Sequence, residues 1–250
     1  MPQLMKTSNP ALNGKIFTGH SVAFEDAMTL DGTVNKTGIL LLCCIATAAY
    51  AWHAFMQTRS AESVYPMLLI GAFGGFIFAL ITIFKMSWAP ITAPIYSLLE
   101  GLVLGSLSAV LELRFPGIAM QSVGMTFGVL LVMLLAYRSH LIPVTQKFRL
   151  GIVAATGAIA LFYVAEWILS FFGIRFASIN GATPLGIGFS IVVVVIAALN
   201  LVLDFDFIER GVQARAPKYM EWYGAFGLMV TLVWLYLEIL RLLSKVRSRN

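Results

Sequence analysis

Five acidic side chains lie within or at the ends of long apolar runs: Glu100, Glu166, Asp204, Asp206 and Glu238. An Asp at the centre of a membrane helix costs about 2.5–3.5 kcal/mol on insertion scales. Acids kept there usually face protein or water and mark ion or proton paths. Glu100 shares a helical face with Tyr96, Ser97 and Ser108. It reads either as part of such a path or as a protonated acid bonded to a neighbouring helix. Asp204 ends a stripe of small and polar residues, Gly186, Ser190, Ala197 and Asn200, on a helix otherwise rich in Val, Ile and Leu. That stripe is expected to face other helices or water. Asp206 and Glu209 follow at what reads as a solvated helix end. Glu238 lies on one face with Thr231, Trp234 and Arg241. It is either a local partner of Arg241 or an acid directed at the preceding helix. Glu166 stands beside Trp167, as interfacial residues do, and is left out of the site.

Hydrolytic chemistries find little support. His20, His53 and His140 lie in the tail, at the end of the first apolar run and in a loop, so no H-E-x-x-H zinc site forms. Ser190 sits in GIGFSIV, which is not a G-x-S-x-G elbow. Asp204 and Asp206 are two apart on one helix and point to different faces, against an aspartyl dyad. Glycine-rich phosphate loops are absent. Cys43 and Cys44 are adjacent and indicate neither a structural disulfide nor a metal site. No enzymatic activity and no cofactor is expected.

The elements that hold these acids are membrane helices. Of 250 residues, 59% are hydrophobic and 12% charged, about half the charged share of soluble domains. Mean hydropathy is +0.87. Too little polar surface exists to cover a soluble core, so the chain is expected to be an all-α integral membrane protein with seven spans. The apolar runs are Thr37–Met56, Pro66–Met86, Ile91–Leu111, Ile118–Tyr137, Gly151–Phe172, Leu185–Asp204 and Gly224–Val246, the last entered by an interfacial segment at Tyr219–Tyr223. Residues 1–36 read as a polar cytoplasmic tail, residues 37–250 as the transmembrane domain, and no secretory signal peptide is visible. G-x-x-x-G pairs at Gly71/Gly75, Gly101/Gly105 and Gly124/Gly128 predict close packing by the second, third and fourth helices.

The net charge of +5 is explained by membrane orientation, and nucleic acid is not expected as a partner. With seven spans, the tail and the even-numbered loops carry ten Lys and Arg, against three in the opposite loops. This asymmetry predicts a cytoplasmic N-terminus. Arg241, Lys245, Arg247 and Arg249 pull the other way, and six spans plus a re-entrant segment would also place both ends inside.

Six strings resemble the bacterial YccA-like branch of the Bax inhibitor family. They are SNPALN (Ser8–Asn13), MTLDGTVNKTG (Met28–Gly38), APIYSLLEGLVLGSLSAVLE (Ala93–Glu112), KFRLGIVAATG (Lys147–Gly157), NLVLDFDFIERG (Asn200–Gly211) and APKYMEWYGAFGLMVTLVWLYLEILRLL (Ala216–Leu243). The resemblance implies a last helix wrapped by the other six. It also implies a pH-sensitive calcium leak linked to stress protection. In the family's leak model, acids on helices six and seven form the pH sensor, with a basic residue on helix two as partner. Asp204 in LDFDFIE and Glu238 in LYLEIL match the acids, and Lys85 is the nearest candidate for the base. The expected sensor or ion path thus comprises Asp204, Glu238, Lys85, Glu100 and Asp206, with a transient calcium ion at Asp204 and Glu238.

Asp204 and Glu238 are expected to share a proton when closed. As pH rises, loss of that proton leaves oxygen ligands that suit calcium. The geometry sets a condition: with a start at Gly224, Glu238 lies about 21 Å into helix seven. Direct pairing then needs a deeper Asp204, a later start of helix seven or a large tilt. The expected partners are membrane lipid, calcium as permeant ion and a membrane-bound quality-control protease. That protease belongs to a rival reading, a non-conducting modulator or substrate gripped by its N-terminal tail.

Overall fold

Three threonines start three of the long helices. Thr29, Thr145 and Thr183 accept hydrogen bonds through Oγ1 from the backbone N–H of Gly32, Phe148 and Gly186, at 3.0, 3.1 and 3.0 Å. A first-turn N–H has no partner inside its own helix, and lipid offers none. Pro66, Pro90 and Pro184 begin three helices, where a missing N–H does no harm.

The computed structural model describes residues 27–173 and 176–249. The helices are α1 (Leu30–Thr58), α2 (Tyr65–Phe84), α3 (Ala89–Arg114), α4 (Ile118–Arg138), α5 (Gln146–Ser170), the one-turn α6 (Ala177–Asn180), α7 (Pro184–Gln213) and α8 (Met220–Arg249). No β-strand occurs among the described residues. Seven of the helices are long and apolar enough to cross a membrane, α6 being the exception. The sixth and seventh spans expected from sequence are therefore α7 and α8.

The last helix is the central one. In its most apolar stretch α8 is 72% buried, whereas α5 is 11% buried. α8 packs against α1, α3, α4 and α7. On one side Phe226, Met229 and Val233 meet Leu40 and Cys44 of α1 and Ala93 and Tyr96 of α3. On the other, Leu228, Leu232, Leu235 and Ile239 meet Ala197, Leu201 and Phe205 of α7. The outer faces carry exposed Phe73, Phe76, Phe84, Leu131, Leu161 and Phe171. Such faces suit lipid as solvent.

Glycine sets the α1–α3 contact. A Cβ on Gly101 would lie 2.0 Å from Thr47 Oγ1 and 2.2 Å from the Cys44 carbonyl oxygen. One on Gly105 would lie 2.3 Å from the Ala48 carbonyl oxygen. The approach lets Thr47 donate to the Leu98 carbonyl at 2.8 Å. Gly71 and Gly75 meet α3 in the same way. The pair on α4 does not: nothing lies within 4 Å of a Cβ at Gly124 or Gly128. α4 packs instead through Ile118, Ala119, Ser122 and Thr126. Gly101→Val is therefore expected to destabilise the protein by roughly 3 kcal/mol through overpacking. Gly124→Ala is expected to be neutral or slightly stabilising through helix propensity. Thermal melts in detergent compare the two, and equal melting temperatures would remove this account of the α1–α3 contact.

Several boundaries differ from the sequence reading, three of them beside acidic residues. α1 begins at Leu30, not Thr37, because Met28 donates to the Ala216 carbonyl at 2.7 Å and Glu221 binds Thr29. Residues 27–36 thus belong to the folded body, and the tail expected at 1–36 otherwise lies outside the described residues. α7 runs nine residues beyond Asp204, and Asp206 is buried where a solvated end was expected. α8 begins at Met220, which makes most of the expected interfacial segment part of the helix.

Candidate functional site

The longer α7 changes where its acids sit. Asp204 is nine residues from the last residue of α7, about 13 Å along the axis, and is 3% exposed. The Thr231 side chain of α8 lies beside it, and among the described residues its Oδ2 has no hydrogen-bond partner. The stripe expected to face protein does so: Gly186, Ser190, Ala197 and Asp204 are all buried, together with Val193.

Asp206, two residues on, points elsewhere. Its carboxylate binds Arg149 of α5 and Arg210 one turn later on α7. Two guanidinium groups neutralise it, which lets the helix continue through a buried acid. Glu209 accepts from the Tyr137 hydroxyl. Asp206 is thus a structural ion-pair residue that ties α5 to α7.

Glu238 is 2% exposed. Its Oε1 accepts from Tyr163 of α5 at 3.0 Å and from Arg241 at 3.2 Å. Arg241 also donates to the Tyr163 hydroxyl at 2.7 Å and lies over its ring, 4.9 Å from the centroid. The local pair with Arg241 is therefore present. Yet Glu238 Oε2 is buried and has no hydrogen-bond partner among the described residues.

The two acids do not pair in this structure. Glu238 lies seven residues beyond Thr231, the neighbour of Asp204, which is about 10 Å along α8. Asp204 is deeper than expected, but the earlier start of α8 carries Glu238 deeper still. Calcium needs oxygen atoms at about 2.3–2.6 Å, so this arrangement does not let both carboxylates hold one ion. Lys85 is exposed at the C-terminal cap of α2 and forms no ion pair among the described residues. Glu100 of α3 lies in a separate cavity with Phe226, Gly227 and Val230 of α8.

Several polar partners escaped the sequence reading. Arg149, Thr156 and Tyr163 of α5 reach Asp206, Asn200 and Glu238 at three levels. Their seven-residue spacing on an apolar helix was the available signal, since seven residues make two turns and return to one face. Lys245 read as one of the basic charges of the C-terminal end. It is 6% exposed, and its Nζ donates to the Ile179 and Gly186 carbonyls and to Ser190 Oγ at 2.8, 3.2 and 2.9 Å. Glu221 and Lys36 form a buried ion pair between α8 and α1.

The site is a polar seam shared by α5, α7 and α8, with two buried acids at different depths. Each acid keeps one oxygen without a partner, which can take a proton or contact a passing cation. Among the described residues no group of three or more metal-ligating side chains occurs, so the seam holds no ready-made chelating site. No curated protein and no solved structure matched the chain. The model of one family, described as Bax inhibitor 1 like, matches residues 9–248. With seven long apolar helices, the last of them the most buried, and a match over nearly its whole length, the chain belongs to the Bax inhibitor 1 like family.

Proposed function

We propose that this protein is a pH-modulated cation leak, with calcium among its permeant ions, that serves stress protection in a bacterial inner membrane. The observation carrying this reading is the pair of orphaned carboxylate oxygens, Asp204 Oδ2 and Glu238 Oε2, at two depths of one seam. Conduction requires sites that attract an ion without trapping it. Two separated single-carboxylate stations meet that need better than one closed chelate. A protonated carboxyl is neutral and attracts no cation; proton loss gives it a negative charge. Flux therefore rises with pH. Calcium uptake into liposomes holding purified protein, recorded against pH, tests the reading. Absence of flux at every pH would leave the rival, a non-conducting modulator or substrate of a membrane-bound protease, whose turnover should then depend on residues 1–26.

In the proposed orientation the N-terminus is cytoplasmic and the C-terminus outside. Lys36, Lys85, Arg138, Lys147, Arg149, Arg210, Arg215 and Lys218 fall at the end of the bundle where α1 begins. The opposing C-terminal charges are largely engaged within the protein. Arg241 pairs with Glu238, Lys245 is buried, and Arg247 donates to the Pro116 carbonyl and Gln121. The orientation rule weighs basic residues in loops, so these count for less. A reporter active only in the periplasm, fused after Asn250, is expected to be active; a stable but silent fusion would reverse the assignment.

A further inference from the structure

A cavity of about 340 Å³ is bounded by α2, α3 and α8. Its volume falls within the range of small-molecule sites. Phe76, Tyr96 and Phe226 supply aromatic walls, and Glu100 is its one ionisable carboxyl. Tyr96 packs edge-on against Phe226, with centroids 5.0 Å apart, and lines the cavity beside Glu100. Among the described residues no basic side chain ion-pairs with Glu100. Glycine leaves room for the acid: a Cβ on Gly75 would lie 3.0 Å from its Oε1. Ala72 and Phe76 at the rim are exposed, Phe76 by 63%, so the cavity opens sideways on the apolar surface of α2.

An acid without a cation, ringed by aromatic faces, is the chemistry that recognises an organic ammonium. The carboxylate supplies the opposite charge and the rings attract the cation electrostatically. We propose that this cavity binds a lipophilic amine, an ammonium group on a compact apolar body, that enters from the bilayer. Depth favours this ligand over the amine of a phospholipid headgroup. Glu100 lies 11 residues after Ala89 and 14 before Arg114, about 16 and 21 Å from the ends of α3. Headgroups stay outside a hydrocarbon core about 30 Å thick, whereas an amine with its own apolar body can reach the carboxyl.

The test is calorimetric titration of the purified full chain in maltoside micelles with 1-aminoadamantane, and with 1-adamantanol as a neutral analogue of like shape. The amine is expected to bind saturably and the alcohol about tenfold more weakly or less. Glu100→Gln is expected to bring the amine down to the level of the alcohol. Val230→Phe narrows the cavity from α8 without touching the carboxyl and is expected to weaken both ligands. Equal binding of amine and alcohol, or wild-type amine binding by either variant, would overturn the assignment. If Glu100→Gln does not fold, the amine-to-alcohol ratio and Val230→Phe decide alone. In nanodiscs, competition by phosphatidylethanolamine but not phosphatidylglycerol would assign the cavity to a headgroup and overturn the lipophilic-amine proposal. Ion flux plays no part in these readouts, so their outcome is separate from that of the leak.

Discussion

Asp204→Asn is expected to lower calcium flux at the alkaline end of the pH profile roughly tenfold or more. A carboxylate about 4 Å from a unit charge is worth about 4 kcal/mol at an effective dielectric of 20, and a divalent ion feels it more strongly. Asn keeps the size and the polar character beside Thr231 but cannot ionise. Glu238→Gln is expected to act in the same direction with a smaller effect, because Arg241 already lies 3.2 Å from Oε1 and offsets part of the charge. The structure also alters the expectation for the double variant. A proton-sharing pair acts as one unit, so a second substitution would add little. Carboxylates without shared partners, at levels about 10 Å apart along α8, behave nearly independently. The two substitutions are then expected to lower flux additively, the double variant falling below either single variant. Liposome flux of the three variants from acid to alkaline pH measures this. A double variant no worse than Asp204→Asn would mean that the acids meet in the conducting state. Normal profiles in both single variants would place the path elsewhere.

Glu221→Ala is expected to destabilise the fold by about 3–5 kcal/mol, the cost of breaking a buried ion pair from one side. The Glu221 side chain is fully buried. Its Oε1 accepts from the Thr29 N–H at 2.8 Å and from the Thr29 hydroxyl at 2.9 Å, and its Oε2 binds Lys36. One carboxylate thus joins the start of α1 to the first turn of α8. Without it Lys36, whose side chain is 18% exposed, loses its partner, and the Thr29 N–H is left unsatisfied. Gly32→Ala should reach the same contact by another route, since a Cβ there would lie 2.2 Å from Glu221 Oε1. Melting curves in detergent should show both variants well below the wild type, with Glu221→Gln between them and the wild type. A wild-type melting temperature for Glu221→Ala would show that this clamp contributes little.

Glu221 shows why part of the site could not be read in advance. In the sequence it is an acid next to Trp222 at the edge of an apolar run, with nothing to mark it as buried. Its partners Thr29 and Lys36 are 192 and 185 residues away. Asp206 is similar: its charge argued for a helix end, and only Arg149, arriving from α5, makes the continued helix affordable. Where the signal was local, the reading held. The stripe from Gly186 to Asp204 faces protein, and Arg241 pairs with Glu238 three residues before it. The glycine pairs divide along the same line. Each of the three has the spacing for close packing, but Gly124 and Gly128 point away from every neighbour.

From its sequence alone the protein is a seven-helix membrane protein of recognisable family, because hydrophobic length, acid content and turn-scale periodicity are properties of contiguous residues. Burial in a helix of uniform apolarity is not such a property. α5 and α8 have similar hydropathy, 1.9 and 1.8, yet are 11% and 72% buried. Lipid and protein interior are both apolar, so composition does not say which helix the others surround. Nor does it give the axial register of α7 against α8, which follows from where the two helices begin and end. That register places Asp204 opposite Thr231 and Glu238 two turns beyond. Only the tertiary packing could therefore turn one expected acid pair into two separately placed carboxylates, since opposing side chains are set by interhelical contacts and not by position along either chain segment.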